Sequence, residues 1–314
     1  MTVANQTTVT EFIFLGLSSD PQMQKFLFVV FLLIYLTTLG GNGAIMWVTQ
    51  ADPHLGSPMY FLLSHLSFSD ICFSSAIVPK MLETLLSERK TISVSSCMAQ
   101  MYFLILSGCS EIFILSAMAY DRYAAICDPL RYVTTMNKRV CSLLVAGAWL
   151  IGSLYALSNT LPLPALHFCG PNTIHHFTCE LPSLVALSCS ETFTSNTVFL
   201  ISAMVIGFMS FSLILGSYIQ ILGTILRIRS AEGRRKAFST CSSHLIVVGL
   251  FYGTGVFRHF RPNSASLVLL DVLVSIQYSI LTPMLNPIIY SLNNKEVKAA
   301  LRRLLWAGNH PAPG

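Results

Sequence analysis

The sequence predicts an all-α integral membrane protein, a seven-transmembrane helix bundle with a short amphipathic helix eight. Three observations carry that expectation. Of 314 residues, 53% are hydrophobic and only 11% charged, less than half of the roughly 25% charge of a soluble domain. The apolar residues fall in seven long blocks, roughly 26–49, 58–80, 98–120, 141–163, 197–226, 238–260 and 268–292, each long enough as a helix to cross a bilayer core. The cationic residues are divided unequally between the two sides that seven crossings create. A transmembrane β-barrel would need short alternating strands instead, and a formal charge of +5 without a basic stripe excludes a nucleic-acid binder. These blocks set three regions: an extracellular N-terminus at 1–25, a seven-helix bundle at 26–292, and a cytoplasmic tail at 293–314.

Residues 1–24 are short and polar, and they lack the basic start, apolar middle and small-residue cleavage site of a signal peptide. The first helix is therefore expected to direct its own insertion. Asn5-Gln6-Thr7 fits the N-glycosylation sequon, which requires a lumenal or extracellular position. The first block carries Gly40-Gly41-Asn42-Gly43, where glycines let a neighbouring helix approach and a buried Asn can bond across the contact. A short connection at 51–57 returns the chain antiparallel into the second block, which holds Asp70 near mid-membrane.

The third block contains Glu111, about three turns or roughly 16 Å from Arg122. Asp70 and Glu111 thus fall at similar depth. Two carboxylates this close cannot both ionise cheaply, so they share a proton or a cation. A glycosidase pair is excluded because a lipid-buried site has no route for a polar sugar. Asp121-Arg122 ends the third block, where a charge pair is tolerated only at the water interface, and Pro129, Arg131, Lys138 and Arg139 follow as a loop.

The fourth block includes Trp149 and ends near Pro162 and Pro164. A long loop at about 165–195 carries Cys169, Cys179 and Cys189. With Cys97 these make four cysteines on one side of the membrane, and four cysteines allow three pairings. His175, His176, Cys179 and Glu180 could be read as metal ligands, but a cysteine in a disulfide offers no thiolate. Cys72, Cys109, Cys127, Cys141 and Cys241 read as small apolar packing residues.

The fifth block ends with Tyr218 and a basic stretch from Arg227 to Lys236. The sixth carries Phe251-Tyr252-Gly253, and the seventh carries Asn286-Pro287. A proline inside an apolar helix frees a carbonyl, and the adjacent Asn is expected to occupy the gap. Residues 295–306 form a basic amphipathic helix on the membrane surface. Thirteen of the 19 Lys and Arg residues fall on the side shared by Arg122 and the tail, and six on the other. The positive-inside rule makes the richer side cytoplasmic, which leaves the sequon, Cys97 and the three loop cysteines outside.

The string from Met118 to Cys127, MAYDRYAAIC, closely resembles the MAYDRYVAIC signature of olfactory receptors, a branch of the rhodopsin-like G-protein-coupled receptors, here of the tetrapod (class II) type. Pro58-Met59-Tyr60-Phe61-Leu62-Leu63 with Asp70 resembles PMYFFLxxLSxxD, with Leu62 for the usual Phe. Lys236-Ala237-Phe238-Ser239-Thr240-Cys241-Ser242-Ser243-His244 matches KAFSTCxSH. Residues 283–294 match PxLNPxIYSLRN, with Asn293 in place of Arg. These strings span helices two to seven.

The resemblance implies a receptor and no enzyme. Its partners would be a small volatile odorant, membrane lipid and a heterotrimeric stimulatory G protein that raises cyclic AMP, at the plasma membrane with no nucleic acid. It implies the pairings Cys97–Cys179 and Cys169–Cys189. It favours a sodium-linked switch at Asp70 and Glu111, against protonated packing; no other cofactor is implied. It assigns coupling to Asp121, Arg122, Tyr123, Tyr218, Lys236, Asn286, Pro287 and Tyr290, with Asp121 as the resting partner of Arg122. A transporter would instead show internal repeats or matched interrupted helices, and none is visible.

Helical phase selects the ligand cavity: Leu104, Ile105, Gly108, Cys109 and Ile112 on the third helix, Ser202, Ala203 and Ile206 on the fifth, and Ile276 and Ser279 on the seventh. On the sixth, Tyr252, Gly255, Val256 and His259 share a face. His259, about 10 Å above Tyr252, reads either as a hydrogen-bonding contact for oxygenated odorants or as a solvated helix end. Leu104 and Ile105 stand where an amine receptor would carry a carboxylate, which disfavours a biogenic-amine ligand.

Overall fold

The computed structural model describes residues 9–168, 172–189, 193–259 and 268–309. In chain order they form β1 (Glu11–Phe14), α1 (Pro21–Ala51), α2 (Pro58–Leu86), β2 (Thr91–Ser93), α3 (Val94–Cys127), α4 (Tyr132–Thr135), α5 (Lys138–Thr160), β3 (Thr173–Ile174), α6 (Leu181–Leu187), α7 (Phe193–Arg227) and α8 (Ala231–His259). Helix seven is α9 (Val268–Ile276), a π-helical turn over Gln277–Leu281 and α10 (Thr282–Asn293); α11 (Lys295–Asn309) follows it. All seven apolar blocks thus become helices, most of them longer than hydropathy suggested, while the fourth is shifted and ends at Thr160. Six spans among the described residues are long and apolar enough to cross a membrane. The sixth block lies in α8, whose first turns carry Glu232, Arg234, Arg235 and Lys236.

Helix starts follow local chemistry. Asp20 accepts from the Gln22 amide with Pro21 at the first helical position, a strong N-cap. Ser93 caps α3 through the Ser96 amide at 3.1 Å, Asn137 caps α5 through Val140 at 3.0 Å, and Asn294 caps α11 through Glu296 at 2.9 Å.

The central helix is α3, which packs against α2, α5, α7 and α8. At Gly152 a Cβ would lie 2.7 Å from Ser110 Oγ and 2.9 Å from the Leu106 carbonyl, so α3 and α5 meet at a distance only glycine permits. Outward residues such as Phe26, Leu33, Leu150, Phe208 and Leu213 are exposed. In lipid, such a surface carries no hydrophobic penalty.

The first helix keeps part of its expected contact. A Cβ on Gly41 would lie 3.0 Å from Pro287 Cγ, while Gly40 and Gly43 have nothing within 4 Å. Asn42 Nδ2 donates to the Pro283 carbonyl at 2.9 Å. That carbonyl is the one Pro287 leaves without an amide four residues later. Asn42 of α1 fills the gap, not Asn286, which is engaged elsewhere.

The N-terminal segment departs from the polar stretch read in the sequence. β1 pairs antiparallel with β2, Phe12 opposite Ile92, and parallel with β3, Phe14 opposite Ile174. Phe12 and Phe14 are each 1% exposed and pack with Ile92, Cys97, Met101 and Leu184. The four residues Glu-Phe-Ile-Phe alternate outward and inward, the period-two pattern of a half-buried strand.

Candidate functional site

Three polar or aromatic layers lie along the bundle axis. The outer layer hangs from one disulfide, Cys97–Cys179, with Cα atoms 5.6 Å apart, which fastens the long loop to the top of α3 as the resemblance implied. In the other pairing, Cys169 lies outside the described residues, as does the sequon residue Asn5. Beside the bridge, buried Gln100 uses its whole amide. Its Oε1 accepts from the Cys179 amide at 2.9 Å and from Thr178 Oγ1 at 3.2 Å, and its Nε2 donates to the Ala76 carbonyl of α2 at 2.9 Å.

Most candidate cavity residues face inward. Leu104 and Ile276 flank one apolar cluster with Phe73 and Phe177, and a Cβ on Gly108 would touch Phe73 and the Tyr278 hydroxyl, both at 3.5 Å. Ile105 is half-buried, Cys109 is buried, and Ile112 and Tyr252 border the same apolar cluster. Ser202, Ala203, Ile206 and Gly255 are half-buried. Ser202 Oγ donates back to Val198 at 2.7 Å, and buried Ser279 donates to the Ser275 carbonyl at 2.6 Å. Tyr252 meets Ser210 of α7 at 2.7 Å. Val256 departs from the prediction: it is 54% exposed. Four residues turn a helix about 40° past a full circle, enough here to carry Val256 off the Tyr252 face to the outside. The His259 side chain lies outside the described residues.

Sequence reasoning missed the aromatic floor of this region. Tyr278 sits edge-on to Phe73 with centroids 5.5 Å apart and at the same distance from Phe251. Its position depends on the π-turn of helix seven, where the Thr282 amide bonds to Gln277. π-turns concentrate at functional positions, but hydropathy carries no sign of one.

The middle layer joins α2, α3 and α10. Asn286 Nδ2 donates to both Asp70 carboxylate oxygens at 3.0 Å, and Asp70 and Glu111 are 1% and 4% exposed. Glu111 Oε1, Asn286 Oδ1 and Ser107 Oγ have no hydrogen-bond partner among the described residues. Buried oxygens without donors are costly, and two carboxylates, an amide oxygen and a hydroxyl are the hard donor set a small cation takes. Ser107, one turn from Glu111 on α3, was not read from the sequence as part of this layer.

The inner layer surrounds Arg122, which is 9% exposed. Asp121 lies within reach of the Arg122 charge and also engages the cytoplasmic loop. Its Oδ1 accepts from the Tyr132 hydroxyl of α4 at 2.8 Å, so Asp121 holds the cytoplasmic loop. Burial and the Asp121 carboxylate both raise the Tyr132 pKa, keeping the phenol protonated as a donor. Arg122 Nη2 has no hydrogen-bond partner among the described residues. Its charge acts on Tyr218, His244 and Tyr290, the last 1% exposed.

His244 links three helices here. Its Nδ1 lies 2.7 Å from the Tyr218 hydroxyl of α7 and its Nε2 lies 3.0 Å from the Leu115 carbonyl of α3. A carbonyl only accepts, so Nε2 carries a proton and, in the neutral ring, Nδ1 accepts from Tyr218. In the sequence, His244 only closes the string from Lys236, with no role of its own. Its signal was a histidine inside an apolar helix, which a buried position tolerates only with partners. Tyr123 packs near Ile221, Ile225 and Cys241, and Lys236 is exposed on the first turns of α8.

The tail docks onto the same face. Val297 and Ala300 of α11 are fully buried, with Leu301 and Leu304 packed beside them. Arg303 meets Asp52 at 2.6 Å through Nη2 and 3.0 Å through Nε. Hydrogen bonding from Arg303, and then from the His54 amide, pulls the Asp52 pKa from 3.8 to about 2. Tyr60 of α2 donates to Glu296 at 2.7 Å.

Known proteins match both levels of this description. For the fold, a crystal structure of squid rhodopsin superposes with a TM-score of 0.70, covering 92% of this chain and 87% of that one at 16% identity. In sequence, human olfactory receptor 5A1 is 50% identical over 96% of both chains. Human olfactory receptor 8S1 is 51% identical over 95% of this chain and 82% of its own, and mouse olfactory receptor 4E2 is 48% identical over 97% and 98%. The olfactory receptor family model matches residues 31–307. A multi-pass helical membrane bundle with that match across nearly its whole length belongs to the olfactory receptor family, and is a receptor rather than an enzyme.

Proposed function

We propose that this receptor binds small volatile molecules in a cavity between the outer halves of α3, α7, α8 and α9, and that binding activates a stimulatory, olfactory-type G protein that raises cyclic AMP. It works at the plasma membrane with its N-terminus outside and its tail in the cytoplasm, an orientation supported by the excess of basic residues on the tail side. The lining is mostly apolar with few hydroxyls, the composition of a small-molecule site.

The observation that supports this reading best is the position of His244 between Tyr218 and Leu115, beside Arg122. A ligand shifts a two-state protein only by binding one state better. Outward movement of α8 would break the His244–Leu115 contact, let Arg122 approach Tyr218 and Tyr290, and open a gap for a G-protein helix. At mid-membrane, Asp70 and Glu111 with Ser107 and Asn286 would hold a sodium ion in the resting state, or a shared proton. The test is Arg122→Ala in cells screened against a volatile library. Surface-expressed mutant that raises cyclic AMP as the native receptor does would refute the coupling role.

A further inference from the structure

The outer loop descends into the bundle. Phe177 is 3% exposed and packs with Phe31, Phe73 and Ile77, with Leu104 and Ile276 on the edge of the same cluster. Next to it, His176 is 5% exposed and stacked on the Phe177 ring at a centroid distance of 4.5 Å. Its Nε2 lies 3.2 Å from Ser275 Oγ on helix seven, and its Nδ1 lies 3.7 Å from Glu180 Oε1. Ser275 is adjacent to Ile276 and one turn from Ser279. A polar ring is therefore held beside an apolar cluster, where polar groups are costly unless they bond.

We propose that His176 is a specificity-determining residue of the odorant cavity, offering a hydrogen bond to odorants that carry a carbonyl, ester or hydroxyl oxygen. The inference rests on the cavity reading above. Stacking on Phe177 fixes the ring plane, and Ser275 and Glu180 fix its two edges, so little freedom is lost when a ligand binds. Exchange is inexpensive on the protein side: with the proton on Nε2, once an odorant oxygen takes that N–H, the Ser275 hydroxyl can turn back to the carbonyl four residues earlier in its own helix. Neither group is left without a partner. Ligands without an oxygen leave the His176–Ser275 bond in place and gain only apolar contact.

The experiment uses surface-normalised cyclic AMP responses of cells expressing the full chain to matched 2-alkanones, alkyl acetates and 1-alkenes of equal carbon number. His176→Phe keeps the stack and removes the hydrogen bond. Potency for the ketones and esters should fall on the order of five-fold, with alkenes little changed, and His176→Gln should recover part of the loss. Equal shifts across both sets, or none, would overturn the proposal. Ser275→Ala guards against a folding defect in His176→Phe: it leaves the imidazole in place and should preserve the preference for oxygenated ligands, whereas a uniform loss would make the contact a structural tie only. A native receptor silent to every volatile tested would overturn the cavity reading and this one with it, an outcome distinct from a uniform shift.

Discussion

The Tyr218 hydroxyl and His244 Nδ1 lie 2.7 Å apart, and the same imidazole reaches the Leu115 carbonyl at 3.0 Å. One side chain of α8 thereby ties α7 and α3 next to Arg122. Replacing His244 by Phe keeps the volume and removes both bonds, each worth about 1 kcal/mol net. Basal cyclic AMP should rise several-fold, because the resting packing loses contacts that the outward-swung one does not make. Basal signalling at or below the native level in surface-expressed His244→Phe would contradict this role.

Asp70 and Glu111 share their layer with Ser107 and Asn286. If these oxygens hold sodium, Asp70→Asn should abolish the dependence of basal activity on external sodium, and Ser107→Ala should weaken it. If they share a proton, neither variant should change the salt response. Replacing sodium by choline in the assay separates the two.

The bridge between Cys97 and Cys179 anchors the loop that carries His176 and Phe177. Removing a native bridge typically costs about 2–5 kcal/mol. Cys97→Ser and Cys179→Ser should each abolish surface delivery, and the double variant should be no worse than either. Non-reducing peptide mapping that joined Cys97 to a different cysteine would contradict the assignment.

The Asp52–Arg303 pair holds α11 against the first cytoplasmic turn. Because the Asp52 pKa lies at about 2, below its ordinary 3.8, its contribution is complete above about pH 4 and is lost as pH falls through about 2. Asp52→Asn should therefore lower the melting temperature of purified receptor equally at pH 5 and pH 8, with the difference closing only in strong acid. A difference that already changes between pH 8 and pH 5 would contradict this role for the Asp52 carboxylate.

Phe12 and Phe14 are buried in the outer sheet. Truncating a buried Phe to Ala costs about 3–5 kcal/mol. Phe14→Ala should lower surface expression sharply, while Ile13→Ala, on the exposed side of the strand at 39%, should be tolerated. Equal expression of the two would deny the strand a structural role.

The sequence by itself determined the number of spans, and its motifs pointed to the family. Both are local properties: the bilayer demands about 20 apolar residues per helix, and a motif is read along the chain. Gly41, Asp70, Glu111, Arg122 and the Cys97–Cys179 pair were identifiable as special because each breaks an apolar background or matches a motif. Partners were another matter, since a hydrogen bond depends on where two distant segments meet. Only the tertiary structure decided that Asn42 rather than Asn286 serves the Pro283 carbonyl, across 241 positions, or that Arg303 finds Asp52, across 251. The same holds for Asp121, which the packing of α4 gave to Tyr132. β1 has only four residues, too few to announce itself, and exists because β2 and β3 present edges to it. Val256 and the π-turn show the limit of helical phase. A constant 100° step assigns a face only while the helix stays regular and its neighbours are known, and both are settled by packing.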